Sequence, residues 1–150
     1  MTSLLDALQE ANGTVQGIKG LSFINLEHEH SILVESFEFL DWPRNIVSPP
    51  VIQGILKNNR AKEVVIINGF MVTRINQDTN DYRTVQIEPD FIAPMRAAAR
   101  KFIVALADSD LTDPEIEDIS YTISSQYRWL ANHLFGVYYT MRWPVRAGIC

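Results

Sequence analysis

Val64, Val65, Ile66, Ile67, Val72 and Thr73 put six β-branched residues into the twelve positions from Glu63 to Arg74. Such side chains are stiff at χ1 and pack best on a pleated surface, so this segment is a strand. Its density of apolar residues predicts a central place in a sheet, and the rest of the chain has to supply neighbours for it.

Candidate neighbours lie on both sides in sequence. Asn58-Asn59-Arg60 separates Val51–Leu56 from the strong strand. After it, the polar cluster Gln77-Asp78-Thr79-Asn80-Asp81 is a turn, and Tyr82 to Glu88 returns as a partner strand with Val85 and Ile87 on one face, making a β-hairpin. Near the C-terminus Val137, Tyr139, Met141, Trp143 and Val145 alternate with Tyr138, Thr140, Arg142 and Arg146, which is the period of a strand. Pro144 predicts that this strand runs out at an edge or a bulge. Ser31 to Leu40, with Phe37 and Phe39 on one face, fits a bulged strand or extended edge. Residues 41–50 carry Pro43, Pro49 and Pro50 and are expected to form an ordered loop.

Two helices complete the pattern. Residues 3–12 show Leu4, Leu5, Leu8 and Ala11 on one stripe, with Ser3 and Asp6 as a capping-box pair and Asn12-Gly13 as the stop. Residues 90–107 carry the stripe Phe91, Met95, Ala98, Ala99, Phe102, Ile103 and Leu106, which places Pro94 in the first turn and Arg96 with Arg100 on another face. From Thr112 the chain supports two readings. Ile116, Ile119, Ile123, Tyr127, Leu130 and Leu134 keep helical spacing, while Ile119, Tyr121, Ile123, Tyr127 and Trp129 alternate. The content of Ile, Thr, Ser and Tyr favours a helical turn at 114–118 followed by a strand. The expected fold class is α+β: a mostly antiparallel sheet with an N-terminal helix and one long amphipathic helix packed on it. With no internal repeat, low-complexity tract or dividing linker, residues 1–150 form a single domain, a size that buries roughly 68–70% of the unfolded chain's surface.

Charge and cysteine use narrow the function classes. A net charge of -5 argues against a general nucleic-acid binder, which carries a basic excess to neutralise phosphates. The sole cysteine, Cys150, forms no internal disulfide, which fits a reducing compartment. The N-terminus has neither the basic nor the apolar region of a signal peptide, and no apolar run approaches the ~20 residues of a membrane-spanning helix.

Each apparent catalytic or metal site lacks a required part. His28 and His30 face the same way on an extended chain, but the third histidine, His133, is far away in sequence, and a catalytic zinc site takes three protein ligands. Asp78-Thr79-Asn80-Asp81 begins like a calcium loop, yet Arg83 stands where the loop requires glycine. Gly13, Gly17 and Gly20 are followed by no Gly-Lys-Ser/Thr, and no Gly-x-Ser-x-Gly elbow exists. The expectation is a protein that is not an enzyme and takes no cofactor or metal.

What remains points to assembly. Glu27, Glu29, Glu35, Glu38 and Asp41, and Asp108, Asp110, Asp113, Glu115, Glu117 and Asp118, form two acidic clusters that read as solvated acidic surface. Arg96, Arg100 and Lys101 on the helix, and Arg142 and Arg146 on the last strand, are candidates to meet such a surface on a neighbouring copy. Tyr138 stands with Arg142 and Arg146 on the face of the last strand opposite the core, where aromatic residues and arginine commonly anchor interfaces.

The order of elements and the run Gly136-Val137-Tyr138-Tyr139-Thr140-Met141-Arg142-Trp143 resemble the small neck and tail-completion proteins of tailed bacteriophages, tail terminators included. The resemblance implies a structural virion protein, assembled in the host cytoplasm as a homo-oligomeric ring. It would sit at the head-tail connection or tail end, against tail-tube and connector proteins, with DNA passing through an acidic channel. No family residue transfers position by position. The alternative is an intracellular adaptor module that binds another protein.

Overall fold

The computed structural model describes residues 3–23, 41–74, 88–129 and 134–146. The expected strand at 31–40, the hairpin turn and most of its return strand from Gln77 to Ile87, and Glu27, His28, Glu29, His30, Glu35, His133 and Cys150 lie outside these residues.

The elements run α1 (Leu4–Gly13), β1 (Leu21–Phe23), β2 (Arg44–Val47), β3 (Val51–Lys57), β4 (Arg60–Arg74), a π-helical turn (Glu88–Ile92) leading into α2 (Ala93–Ala107), β5 (Ser120–Trp129) and β6 (Leu134–Val145). Ser3 caps α1 as expected: its Oγ accepts from the Asp6 N–H at 3.1 Å, and the Asp6 carboxylate accepts from the Ser3 N–H at 3.4 Å. A side-chain cap of this kind contributes about 1 kcal/mol. Pro94 sits in the first turn of α2, as expected.

Among the described residues the sheet has six strands in the order β1-β2-β4-β6-β5, with β3 also paired to β4. Every pairing is antiparallel except β1 with β2. The α+β class and its mostly antiparallel sheet are therefore as expected, with one parallel edge making the sheet mixed. β4 is central, as its β-branched content predicts, and pairs with β6 from Glu63 to Arg74, all but its first three residues.

Both helices lie on one face of this sheet. Ala7, Leu8 and Ala11 of α1 and Met95, Ala99, Phe102, Ile103 and Leu106 of α2 pack with Val65, Ile67 and Met71 of β4 and Val137, Tyr139, Met141, Trp143 and Val145 of β6 in one core. The alternation read in the C-terminal strand holds residue by residue: the odd-numbered side chains are buried, while Tyr138, Thr140 and Arg142 are partly exposed.

Two expectations need correction. Residues 41–50 are not wholly a loop, because Arg44–Val47 forms β2 against residues 69–72 of β4. The prolines flank this strand rather than interrupt it, with Pro43 before and Pro49-Pro50 after, so no ladder donor is lost. Pro144 lies at neither a bulge nor a free edge. It pairs with Val64 in β4, and its carbonyl accepts from the Asp113 N–H at 3.0 Å on the other side. In a strand a residue's N–H and C=O point the same way, so the missing donor faces the 111–113 segment, beyond the end of β5 at Ser120. The ambiguous segment resolves as a turn at 114–116 and then a strand.

A buried polar chain ties α1, β2 and β6 together. The Tyr139 hydroxyl donates to Asn45 Oδ1 at 2.6 Å, and Asn45 Nδ2 donates to Asn12 Oδ1 at 3.1 Å. Tyr139 is on β6 and Asn45 on β2, so the ring has to cross β4 between them. It does so over Gly69, where a Cβ would lie 2.6 Å from Tyr139 Cζ. Phe102 of α2 meets the same ring edge-on at 5.8 Å.

Burial pushes the Tyr139 phenol well above its ordinary pKa, with the Asn45 hydrogen bond opposing this in part. A raised folded-state pKa means stability that is complete below the unfolded value of about 10 and declines as pH climbs above it. The expected loss from this one group is about 1.4 kcal/mol per pH unit. Tyr139→Phe should remove that slope while costing about 1–3 kcal/mol at neutral pH, because Asn45 Oδ1 loses its donor. Urea midpoints between pH 8 and 11 check both; equal alkaline slopes in the two proteins would refute the assignment.

Candidate assembly surface

β4 has two partners along the same edge. Its C-terminal half takes β2 at residues 69–72, and its N-terminal half takes β3 at residues 60–66. Asn58 and Asn59 close the β3–β4 hairpin with φ of 53° and 62°. Two successive positive φ values match the right-handed twist of the flanking strands, and asparagine tolerates them better than other non-glycine residues. Register is thereby fixed at Lys57 opposite Arg60.

The hairpin extends past the core as an arm: every residue from Val51 to Lys62 is exposed. Alternation places Ile52 and Leu56 on the face shared with Val65, and Val51 and Ile55 on the face shared with Ile66. At the tip neither face is covered, so Ile55 is 71% and Leu56 74% exposed. Lys57, Arg60 and Lys62 surround these apolar side chains. An isolated two-stranded hairpin is marginal in water, and burying an Ile or Leu contributes about 1.5–3 kcal/mol. The arm therefore presents apolar surface of the kind that marks contact sites.

A second feature lies on the helical side. α1 and α2 leave an open groove of about 860 Å³ between them, with Ala7, Ala11, Ala97 and Ala105 among its lining and Val104 half exposed in it. Small side chains at these positions hold the space open. Glu10, Asp108 and Asp110 line it, as do Arg100 and Lys101. No basic residue occupies the last turn of α2. Asp108 and Asp110 thus add charge where the helix already ends in a partial negative charge.

The expected interface residues fall in different places. Arg96 pairs with Glu88 and donates to Ser125 Oγ at 3.0 Å, so it is engaged within the chain. Arg100 is exposed along the groove. Tyr138 stacks obliquely on Phe70 at 5.0 Å and donates to Asn68 Oδ1 at 3.2 Å. Arg142 bridges Glu117 at 2.9 Å and reaches Gln53 at the root of the arm at 3.4 Å. At their exposure such a pair contributes about 0–1 kcal/mol, so it orients more than it stabilises. Arg146 is exposed at the end of β6, and its N–H donates to the Leu111 carbonyl at 2.9 Å.

The second acidic cluster follows α2. Asp108, Asp110, Glu115 and Asp118 are exposed, while Asp113 and Glu117 are partly covered. Asp113 Oδ1 accepts from the Glu115 N–H at 3.1 Å, which makes it a turn former as well as a surface charge. Among the described residues no three His, Cys, Asp or Glu side chains gather as metal ligands, and no helix is long and apolar enough to cross a membrane.

Reading the sequence picked out the arginines and missed the arm. Val51, Ile52, Ile55 and Leu56 look like an ordinary core strand in sequence, and only the register shows that β3 lies beyond the helices. The available signal was the pairing of consecutive apolar residues with Lys57, Arg60 and Lys62 around a two-asparagine turn. No protein-family model matches this chain, and no curated protein matches it significantly.

Proposed function

We propose that this chain is a non-enzymatic structural protein that assembles with copies of itself into a ring at the neck or tail end of a tailed-phage virion. The observation that carries the self-assembly half is the β3–β4 arm, whose apolar tip is exposed on both faces. The acidic stretch from Asp113 to Asp118 supports the ring half, since a channel that lets DNA pass without adhering is lined by like charge. The virion setting rests on the resemblance in element order and in the Gly136–Trp143 run.

Negative-stain microscopy of the purified chain, with co-sedimentation against a tail-tube protein, tests the reading. Rings and co-sedimentation are expected. A monomer by light scattering at high concentration, with no tail-tube binding, would sink it. A stable partner recovered outside any virion would favour the adaptor reading, to which the same exposed arm also lends itself.

A further inference from the structure

We propose that the β3–β4 arm of one copy docks into the α1–α2 groove of a second copy, its Lys57, Arg60 and Lys62 meeting Glu10, Asp108 and Asp110. This rests on the reading that the chain self-associates and names the contact by which it does so.

Three observations fit arm to groove. The arm is convex, with Ile55 and Leu56 exposed at its tip, whereas the groove is concave, about 860 Å³, and partly floored by alanines. That volume is within the range of pockets that enclose several apolar groups. Charge sorts the same way: every charged residue of the arm tip from Lys57 to Lys62 is basic, and the end of α2 joins two aspartates to a helix C-terminus without a basic residue in its last turn. A cation from outside relieves that accumulation. Arg100 and Lys101 also line the groove, so the basic tip is directed toward the aspartates and away from the middle of α2. Finally, arm and groove are different surfaces of the same chain. Each copy both offers an arm and receives one, a head-to-tail contact that closes into a ring when the rotation allows.

The test uses the full-length chain in sedimentation velocity, with circular dichroism as a control for folding. Leu56→Asp and Val104→Asp alter exposed positions on the two sides of the contact, and each should weaken self-association by about tenfold or more. Lys57→Glu with Arg60→Glu should weaken it too, and adding Asp108→Lys with Asp110→Lys in the same chain should restore it. Rescue by charge exchange is a result that misfolding cannot imitate. If the parent chain associates and these variants associate equally well, the arm-groove contact is wrong while the ring reading stands. If the parent chain is monomeric at high concentration, both fall.

Discussion

Gly136→Ala is expected to leave the protein largely unfolded or insoluble on expression. Gly136 sits in β6 between Val72 of β4 and Gln126 of β5. A Cβ there would run into the Met71 carbonyl oxygen and lie 2.7 Å from Val72 Cα. Both obstacles are backbone of the central strand, so no rotamer change relieves them. Overpacking in a core costs about 1–3 kcal/mol when side chains can adjust, and more is expected where they cannot. Gly13→Ala is the matched control, because nothing lies within 4 Å of its added Cβ. It should be neutral or stabilising by up to about 1 kcal/mol. Thermal melts and soluble yield of the two variants read the contrast; a folded Gly136→Ala protein with an unchanged midpoint would overturn the account.

Trp143→Ala should cost about 3–5 kcal/mol, a large part of the 5–15 kcal/mol by which domains are usually stable. Trp143 is fully buried on β6, and its Nε1 donates to Thr112 Oγ1 at 2.8 Å. The Thr112 hydroxyl in turn donates to the Leu106 carbonyl at 3.2 Å near the end of α2. The indole thus fills the core and fastens the middle of the acidic loop to the sheet. Trp143→Phe retains most of the ring while removing the donor, so it separates the two contributions. Its loss should be clearly smaller, and the loop around Thr112 should gain backbone amide exchange. Equal destabilisation by Ala and Phe would show that the hydrogen bond, not the packing, dominates.

Both positions bear on what was legible in the sequence. The alternation ending at Val145 identified the buried face of β6 because period two leaves little freedom about which side chains share a face. The α1 cap and the α2 stripe were equally local signals, carried by Ser3 with Asp6 and by residues three and four apart. Gly136 and Gly69 gave no such signal, since their role depends on which backbone or ring lies across them. β2 was hidden because prolines on either side of a four-residue strand look like a loop until its partner is known. The arm left only the weak signal of basic residues around a two-asparagine turn: exposure of Ile55 and Leu56 follows from where the helices end, which is a property of the packed chain. Arg142 carried an expectation of intermolecular contact, and its engagement with Glu117 and Gln53 could not be read from residues so far apart in sequence.

The fifteen residues of β4 run without interruption from the exposed tip into the middle of the core. At about 3.4 Å per residue the strand is about 50 Å long. It is the arm's spine at one end and the sheet's keel at the other, with no loop between to act as a joint. A force applied at Arg60 is therefore delivered along one covalent backbone to the ladder with β6, in shear across many hydrogen bonds at once. Pulling on the arm would load the whole domain rather than peel off a flap.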